Sequence, residues 1–145
     1  MLSSKSAGSK DLDKIQSLLS ANKLCFNDIN QDGVSLFVVE KNDHHIGYFG
    51  VELFGEDALF RSMIVLPDER DKGYGAGIWG LALGMMKENG VQDIYLLTNT
   101  AAPFFEKQGF SVYDRKAVPE AIGKTSEFID FCPEDSVCMR YTINN

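Results

Sequence analysis

Between residues 68 and 80 the chain reads DERDKGYGAGIWG, with Gly73, Gly75, Gly77 and Gly80 crowded behind Arg70 and Lys72. An apolar run, ALFRSMIVL, precedes this passage, and Ile78, Leu81, Ala82 and Met85 follow it at helical spacing. The chain therefore hands a buried strand through a glycine-rich loop into a helix, which points to an α/β or α+β mixed sheet. With 145 residues, the expectation is one domain over residues 1–145 with a sizeable core. That length is too short for a full dinucleotide domain and a catalytic domain together.

The flanking elements follow from local chemistry. Ser9 is a predicted N-cap, Asp11 and Asp13 suit the positive end of a helix dipole, and Leu12, Ile15, Leu18 and Leu19 form an apolar stripe. VSLFVVE and IGYFGVELF, rich in β-branched and aromatic residues and separated by KNDHH, predict a hairpin. That turn would carry His44 and His45 as surface imidazoles away from the glycine loop. GED then turns the chain into ALFRSMIVL, the third antiparallel strand. Trp79, Met85 and Met86 read as packing residues of the helix after the loop, which ENG stops at Gly90. IYLLT is a short buried strand, TAAPFFEKQG a short helix with Pro103 in its first turn, FSVYD a strand, VPEAIGKTSEF a helix, and VCMRYTI the closing strand.

Two phosphate-binding patterns compete for the glycine loop. Gly75, Gly77 and Gly80 fit G-x-G-x-x-G, but a dinucleotide fingerprint needs its strand to run almost directly into the first glycine and an acidic residue at the end of the next strand. LPDERDKGY intervenes here, and the next strand ends in LLTN. Nor does any glycine precede the Lys-Ser or Lys-Thr pair of a P-loop. Arg70, Gly73 and Gly75, spaced R-x-x-G-x-G, explain more. A loop entering a helix exposes unpaired N–H groups, glycines allow close approach to a pyrophosphate, and Arg70 and Lys72 add positive charge.

That anion site is local, because the whole chain carries 14 basic and 21 acidic residues, a formal charge of −7. Nothing global attracts nucleic acid or an anionic membrane. MLSSKSAGSKDLDK lacks the apolar core of a signal peptide and no run is long enough to span a bilayer, which predicts a cytoplasmic protein. Cys25, Cys132 and Cys138 match no zinc spacing and suit reduced thiols, so no metal is expected.

In MIVLPDERDKGYGAGI the sequence resembles the GNAT superfamily of acetyl-CoA-dependent N-acetyltransferases, whose signature [R/Q]-x-x-G-x-[G/A] follows the fourth strand. LLTNTAAPFFEKQGF is similar to the later strand, helix and Y-E-K-x-G-F segment of that family. The resemblance implies antiparallel N-terminal strands, splayed central strands, and helices on both faces. It also implies acetyl-CoA as co-substrate, held by Met63, Ile64 and Val65 on the strand, by Arg70, Asp71, Lys72, Gly73, Tyr74, Gly75 and Ala76 on the loop, and by Phe105.

An amine attacking a thioester must be neutral, so a base is needed, and the departing thiolate has to be accommodated. The tyrosine many members use as general acid falls on Phe105, which leaves that role open among Tyr113, Tyr95, Cys132 and water. Glu52, on the same side of its strand as Tyr48, is the candidate base, directly or through water; a solvated strand residue is the plain alternative.

Arg61 interrupts an apolar strand and needs a partner, either a substrate carboxylate or an internal acid such as Glu52. RSMIV and LLTNTAAPFFEKQGF resemble bacterial acetyltransferases acting on the α-amine of amino acids such as glutamate, which implies Arg61, Ser62, Thr98 and Asn99 at the acceptor pocket. YDRKAVPEAIGKTSEFIDFCPEDSVCMRY looks like the small acetyltransferases associated with arsenic resistance, with Arg115, Lys124 and Cys132 at matching places. Together these imply a small amine as partner, neither nucleic acid nor membrane, and allow a homodimer, since dimers are common among similar proteins. The alternatives are a degenerate acyl-CoA-binding sensor and a protein N-terminal or lysine acetyltransferase.

Overall fold

The computed structural model describes residues 2–21, 34–99, 101–125, 128–129 and 136–143. Seven strands form one mixed sheet in the order β1-β2-β3-β4-β5-β7-β6. They are β1 (Leu2–Ser6), β2 (Ser35–Lys41), β3 (His44–Phe54), β4 (Asp57–Val65), β5 (Asp93–Thr98), β6 (Ser111–Val112) and β7 (Val137–Thr142). Among the described residues, α-helices α1 (Ser9–Ala21), α2 (Tyr74–Glu88), α3 (Ala102–Lys107) and α4 (Glu120–Gly123) accompany the sheet.

Alternation along the strands divides the side chains between two faces. On one, Phe49, Val51, Phe60, Ile94, Leu96 and Met139 pack against Ile78, Trp79 and Met86 of α2 and Phe105 of α3. On the other, Val38, Tyr48 and Ile64 bury Ile15 and Leu19 of α1, while Leu59, Tyr95, Leu97 and Cys138 bury Ile122 of α4. Burial of an aliphatic side chain such as Ile15 or Leu19 contributes about 1.5–3 kcal/mol, which is what makes the helical stripe decisive.

Three departures from the sequence reading bear on the site. β1 precedes α1, pairing antiparallel with β2 from Leu2↔Lys41 to Ser6↔Phe37, so the strand before the glycine loop is the fourth. Leu2 lies over Gly77 of α2, where a Cβ would stand 2.5 Å from Leu2 Cδ1. The hairpin turn is only Asn42 and Asp43, both at positive φ (53° and 65°), so His44 and His45 belong to β3 and not to the turn. In VPEAIGKTSEF, Glu120–Gly123 is α-helical. Ser9 is the first residue of α1, and the Gly8 N–H donates to Asp11 Oδ2 at 2.8 Å.

The central strands are splayed. β4 and β5 are parallel and pair only over Asp57–Leu59 and Asp93–Tyr95. Beyond that point β4 stays with β3 and β5 with β7. A bulge sets Tyr48 opposite Ile64 but Gly50 opposite Arg61, and Ser62 within it adopts φ 58°. An extra residue of this kind bends the strand away from its neighbour and redirects side chains.

Candidate functional site

The open end of the splay continues into a cavity of about 610 Å³ between β4, the glycine loop and α3. Met63, Ile64 and Val65 line it from the strand, and Arg70, Asp71, Gly73, Tyr74 and Gly75 from the loop. Pro67–Glu69 forms a single 3-10 turn, after which Asp71 (φ 64°) and Gly73 (φ 80°) reverse the chain into α2. Glycine at 73 removes the Cβ clash of that left-handed conformation. As N-cap it supplies no side-chain acceptor, so the first N–H groups of this 15-residue helix keep their donor capacity and the positive end of the helix dipole.

Phe104 and Ala101 of the next helical segment close the far wall, and neither is a residue the sequence reading singled out. A Cβ on Gly75 would stand 3.2 Å from Phe104 Cε1, so the glycine lets ring and loop meet. Phe105 turns the other way, packing at the centre of the core on Phe60, Phe104 and Phe110. Ala76 is exposed on the following turn of α2.

Arg70 is tied to the backbone of β4, and Glu69 and Lys72 to each other. Arg70 Nε donates to the Val65 carbonyl at 3.1 Å. Glu69, buried and part of the cavity wall, accepts from His44 Nε2 at 2.6 Å and from Lys72 Nζ at 3.2 Å. The hydrogen bond from His44, then that from Lys72, holds the Glu69 carboxyl below its ordinary range. His44 therefore reaches the loop, contrary to its expected remoteness, because it begins β3 rather than sitting in the turn. His45 pairs with Glu40 at 3.2 Å.

On the α1/α4 face, Arg61 Nη1 donates to Glu52 Oε2 at 3.1 Å, and Arg61 Nε to Ser62 Oγ at 3.2 Å. Thr98 Oγ1 accepts from the Ala101 N–H at 3.1 Å at the start of α3, while the exposed Asn99 accepts from Ser136 Oγ at 2.7 Å. Arg115 Nη2 donates to the Phe128 carbonyl at 2.7 Å. Tyr113 stacks edge-on against Tyr95, lies under the Arg140 guanidinium, and donates to the Ala117 carbonyl at 3.5 Å. Burial, then Asp93, pushes the Tyr95 hydroxyl up. Cys132 lies outside the described residues.

The cavity pairs a rim of helix N–H groups and the Arg70 guanidinium with a floor of Met63, Val65 and Phe104. Such a shape takes a ligand with an anionic head and a thin apolar arm. The acetyltransferase (GNAT) domain family matches residues 32–112, more than half of the sequence. The chain belongs to the GNAT acetyltransferases. The donor that GNAT enzymes use, acetyl-CoA, has such a head and arm. The GNAT fold also recurs in solved structures. N-acetylglutamate synthase from Neisseria gonorrhoeae, complexed with coenzyme A and L-arginine, aligns with TM-score 0.80 and 18% identity over 99% of this chain. This chain spans only 34% of that one, about a third of its length. Rv2747 from Mycobacterium tuberculosis, in complex with CoA and NLQ, gives 0.76 and 17%, covering 98% of this chain and 99% of that one. Spermidine N-acetyltransferase from Vibrio cholerae, in complex with CoA and spermine, gives 0.69 and 20%, with coverage of 97% and 95%. No curated protein sequence matches. Among the described residues no cluster of His, Cys, Asp or Glu could hold a metal, and no helix is long and apolar enough to cross a membrane.

Proposed function

We propose that residues 1–145 act as one acetyltransferase domain that moves the acetyl group of acetyl-CoA to the primary amine of a small, amino-acid-like molecule. The observation that carries this reading is the opening of β4 from β5 beyond Leu59, with the loop cavity at its mouth and the Arg61–Glu52 pair buried on β4 and β3 beside it. Bound acetyl-CoA would supply an activated thioester open to attack by a neutral amine. The N–H groups from Arg70 to Gly75 hold the diphosphate, while Met63 and Val65 lie along the pantetheine arm.

The buried pair complements a zwitterion. Arg61 is held internally by Glu52, the second of the two partners the sequence allowed it, so an acceptor must exchange with that pair: its carboxylate replaces Glu52 at Arg61, and its ammonium meets Glu52, which takes the proton directly or through water. Ser62, which accepts from Arg61 Nε, and Thr98, Asn99 and Arg115 are the further candidates for acceptor contact. Tyr113 is the candidate for returning a proton to the thiolate. An amino-acid-like arsenical fits the same charge pattern as an amino acid and belongs in any test of acceptors. A second reading, an acyl-CoA-binding sensor, is favoured by Phe105, which replaces the usual tyrosine and is buried in the core.

The test is release of free thiol from acetyl-CoA against amino acids, aminophosphonates, an amino-arsenical, polyamines and a lysine peptide, with a thermal shift on CoA alone. Turnover on a carboxylate-bearing amine is expected. A CoA shift without turnover would favour the sensor, turnover on the peptide alone a protein acetyltransferase, and no shift would overturn the loop assignment.

A further inference from the structure

Glu69 places a carboxylate in the wall of a cavity built for an anion, and two basic side chains share it. His44 takes Oε1 at 2.6 Å and Lys72 takes Oε2 at 3.2 Å. Behind Glu69 lies a second cavity of about 600 Å³, lined by Lys14, His44, His45, Leu66 and Asp68 among others. Glu69 thus has the loop cavity on one side and a His44-bearing, solvent-open cavity on the other. The His44 side chain is 68% exposed, so it exchanges protons with bulk water while bonded to Glu69.

Resting on the coenzyme reading above, we propose that His44 is a positioning residue for the phosphate loop: its protonation neutralises Glu69 and releases Lys72 to the diphosphate. With His44 neutral, Glu69 keeps its full charge and holds Lys72 as its counter-ion, leaving a carboxylate facing the incoming phosphates. With His44 charged, the pair is neutral and the loop gains one positive charge. The other charged groups that face this pair come from three elements. Asp43 and Asp68 flank the second cavity, Lys14 approaches from α1, and Arg70 and Asp71 follow on the loop. The remaining imidazole, His45, is engaged by Glu40 at 3.2 Å. Lys72 is the only one of these groups that both bonds Glu69 and stands in the R-x-x-G-x-G stretch.

Dephospho-CoA is the probe, because its diphosphate lacks the monoester that would itself titrate with a pKa of about 6. Calorimetric titration of the full chain is expected to tighten about fivefold between about pH 8 and about pH 6, with fractional proton uptake on binding. His44→Gln should bind at the weak level throughout. His44→Lys, which fixes a cation beside Glu69, and Glu69→Gln, which removes the carboxylate that captures Lys72, should both bind at the tight level throughout. Tightening that persists in His44→Gln, or wild-type affinity that ignores pH, overturns the proposal and leaves the acetyltransferase reading standing. Absence of binding of CoA and dephospho-CoA by the wild-type chain at every pH overturns the coenzyme reading itself.

Discussion

Arg61 and Glu52 are joined at 3.1 Å across β3 and β4 with side-chain exposures of 0% and 11%. A pair this buried is costly to break, because removing one partner leaves a desolvated charge, typically a loss of about 3–5 kcal/mol. Arg61→Met alone should therefore lower the urea midpoint strongly, whereas Glu52→Leu/Arg61→Met should recover most of the loss. Urea unfolding of the two singles and the double measures the coupling. Additive losses would mean that the two residues do not interact in solution. In the enzyme, Arg61→Ala should raise the acceptor KM while CoA affinity stays intact, and Glu52→Gln should lower kcat.

A Cβ on Gly75 would press on Phe104 Cε1 at 3.2 Å, and a large substituent there must also fill the loop cavity. Gly75→Trp should abolish CoA binding while the core, built from the opposite face of α2, stays folded. The check is calorimetry with CoA alongside near-ultraviolet circular dichroism. Retained CoA affinity in a folded Gly75→Trp chain would remove the loop from the binding site.

The hairpin, the strand before the loop, and the helix after it were legible because their signals are local: β-branched runs, glycine spacing and a helical stripe. β1 was not, since LSSKS carries one apolar residue and is ordered by pairing with β2. KNDHH has the composition of a five-residue turn, but Asn42 and Asp43 alone accept the positive φ a tight hairpin needs, and that releases His44 toward Glu69. Arg61 announced its need for a partner, yet only the bulge at Ser62 and the strand register bring Glu52 to it. Phe104 and Phe105 are adjacent on a helix, and which ring faces the cavity is set by how α3 docks, a tertiary fact absent from the sequence.

Tyr48 is fully buried under α1, and its hydroxyl has no hydrogen-bond partner among the described residues. Burial, then the Asp11 charge, pushes its ionisation up, so the group stays neutral. An unsatisfied buried hydroxyl costs about 1–3 kcal/mol of desolvation, which phenylalanine avoids without changing the ring. Tyr48→Phe should hold or raise the urea midpoint. A clear loss of stability would reveal a bonded hydroxyl.

Cys138 packs among Leu59, Tyr95, Leu97 and Ile122, and burial pushes its thiol up to about 11, with Arg115 pulling the other way. At neutral pH its thiolate fraction is negligible. Iodoacetamide should leave Cys138 unmodified in the native chain and label it only after urea is added, read by peptide mass spectrometry. Rapid native labelling would show that the α4 side of the sheet opens.

Glu69 gives the pH dependence its direction. Its folded pKa lies below the ordinary 4.5, chiefly through the His44 and Lys72 hydrogen bonds, so the ionised group favours the folded state. That stabilisation is complete above the unfolded pKa and is lost as pH falls through the depressed folded value. The quantity to follow is the urea midpoint of the wild-type chain minus that of Glu69→Gln, from about pH 5 downward. It should shrink steadily below about pH 4.5. The exposed partners His44 and Lys72 are screened by salt, so the difference should also narrow as ionic strength rises. A difference that grows below about pH 4.5 would mean that Glu69 is protonated in the folded chain, and with it the Lys72 contact would lose its electrostatic basis.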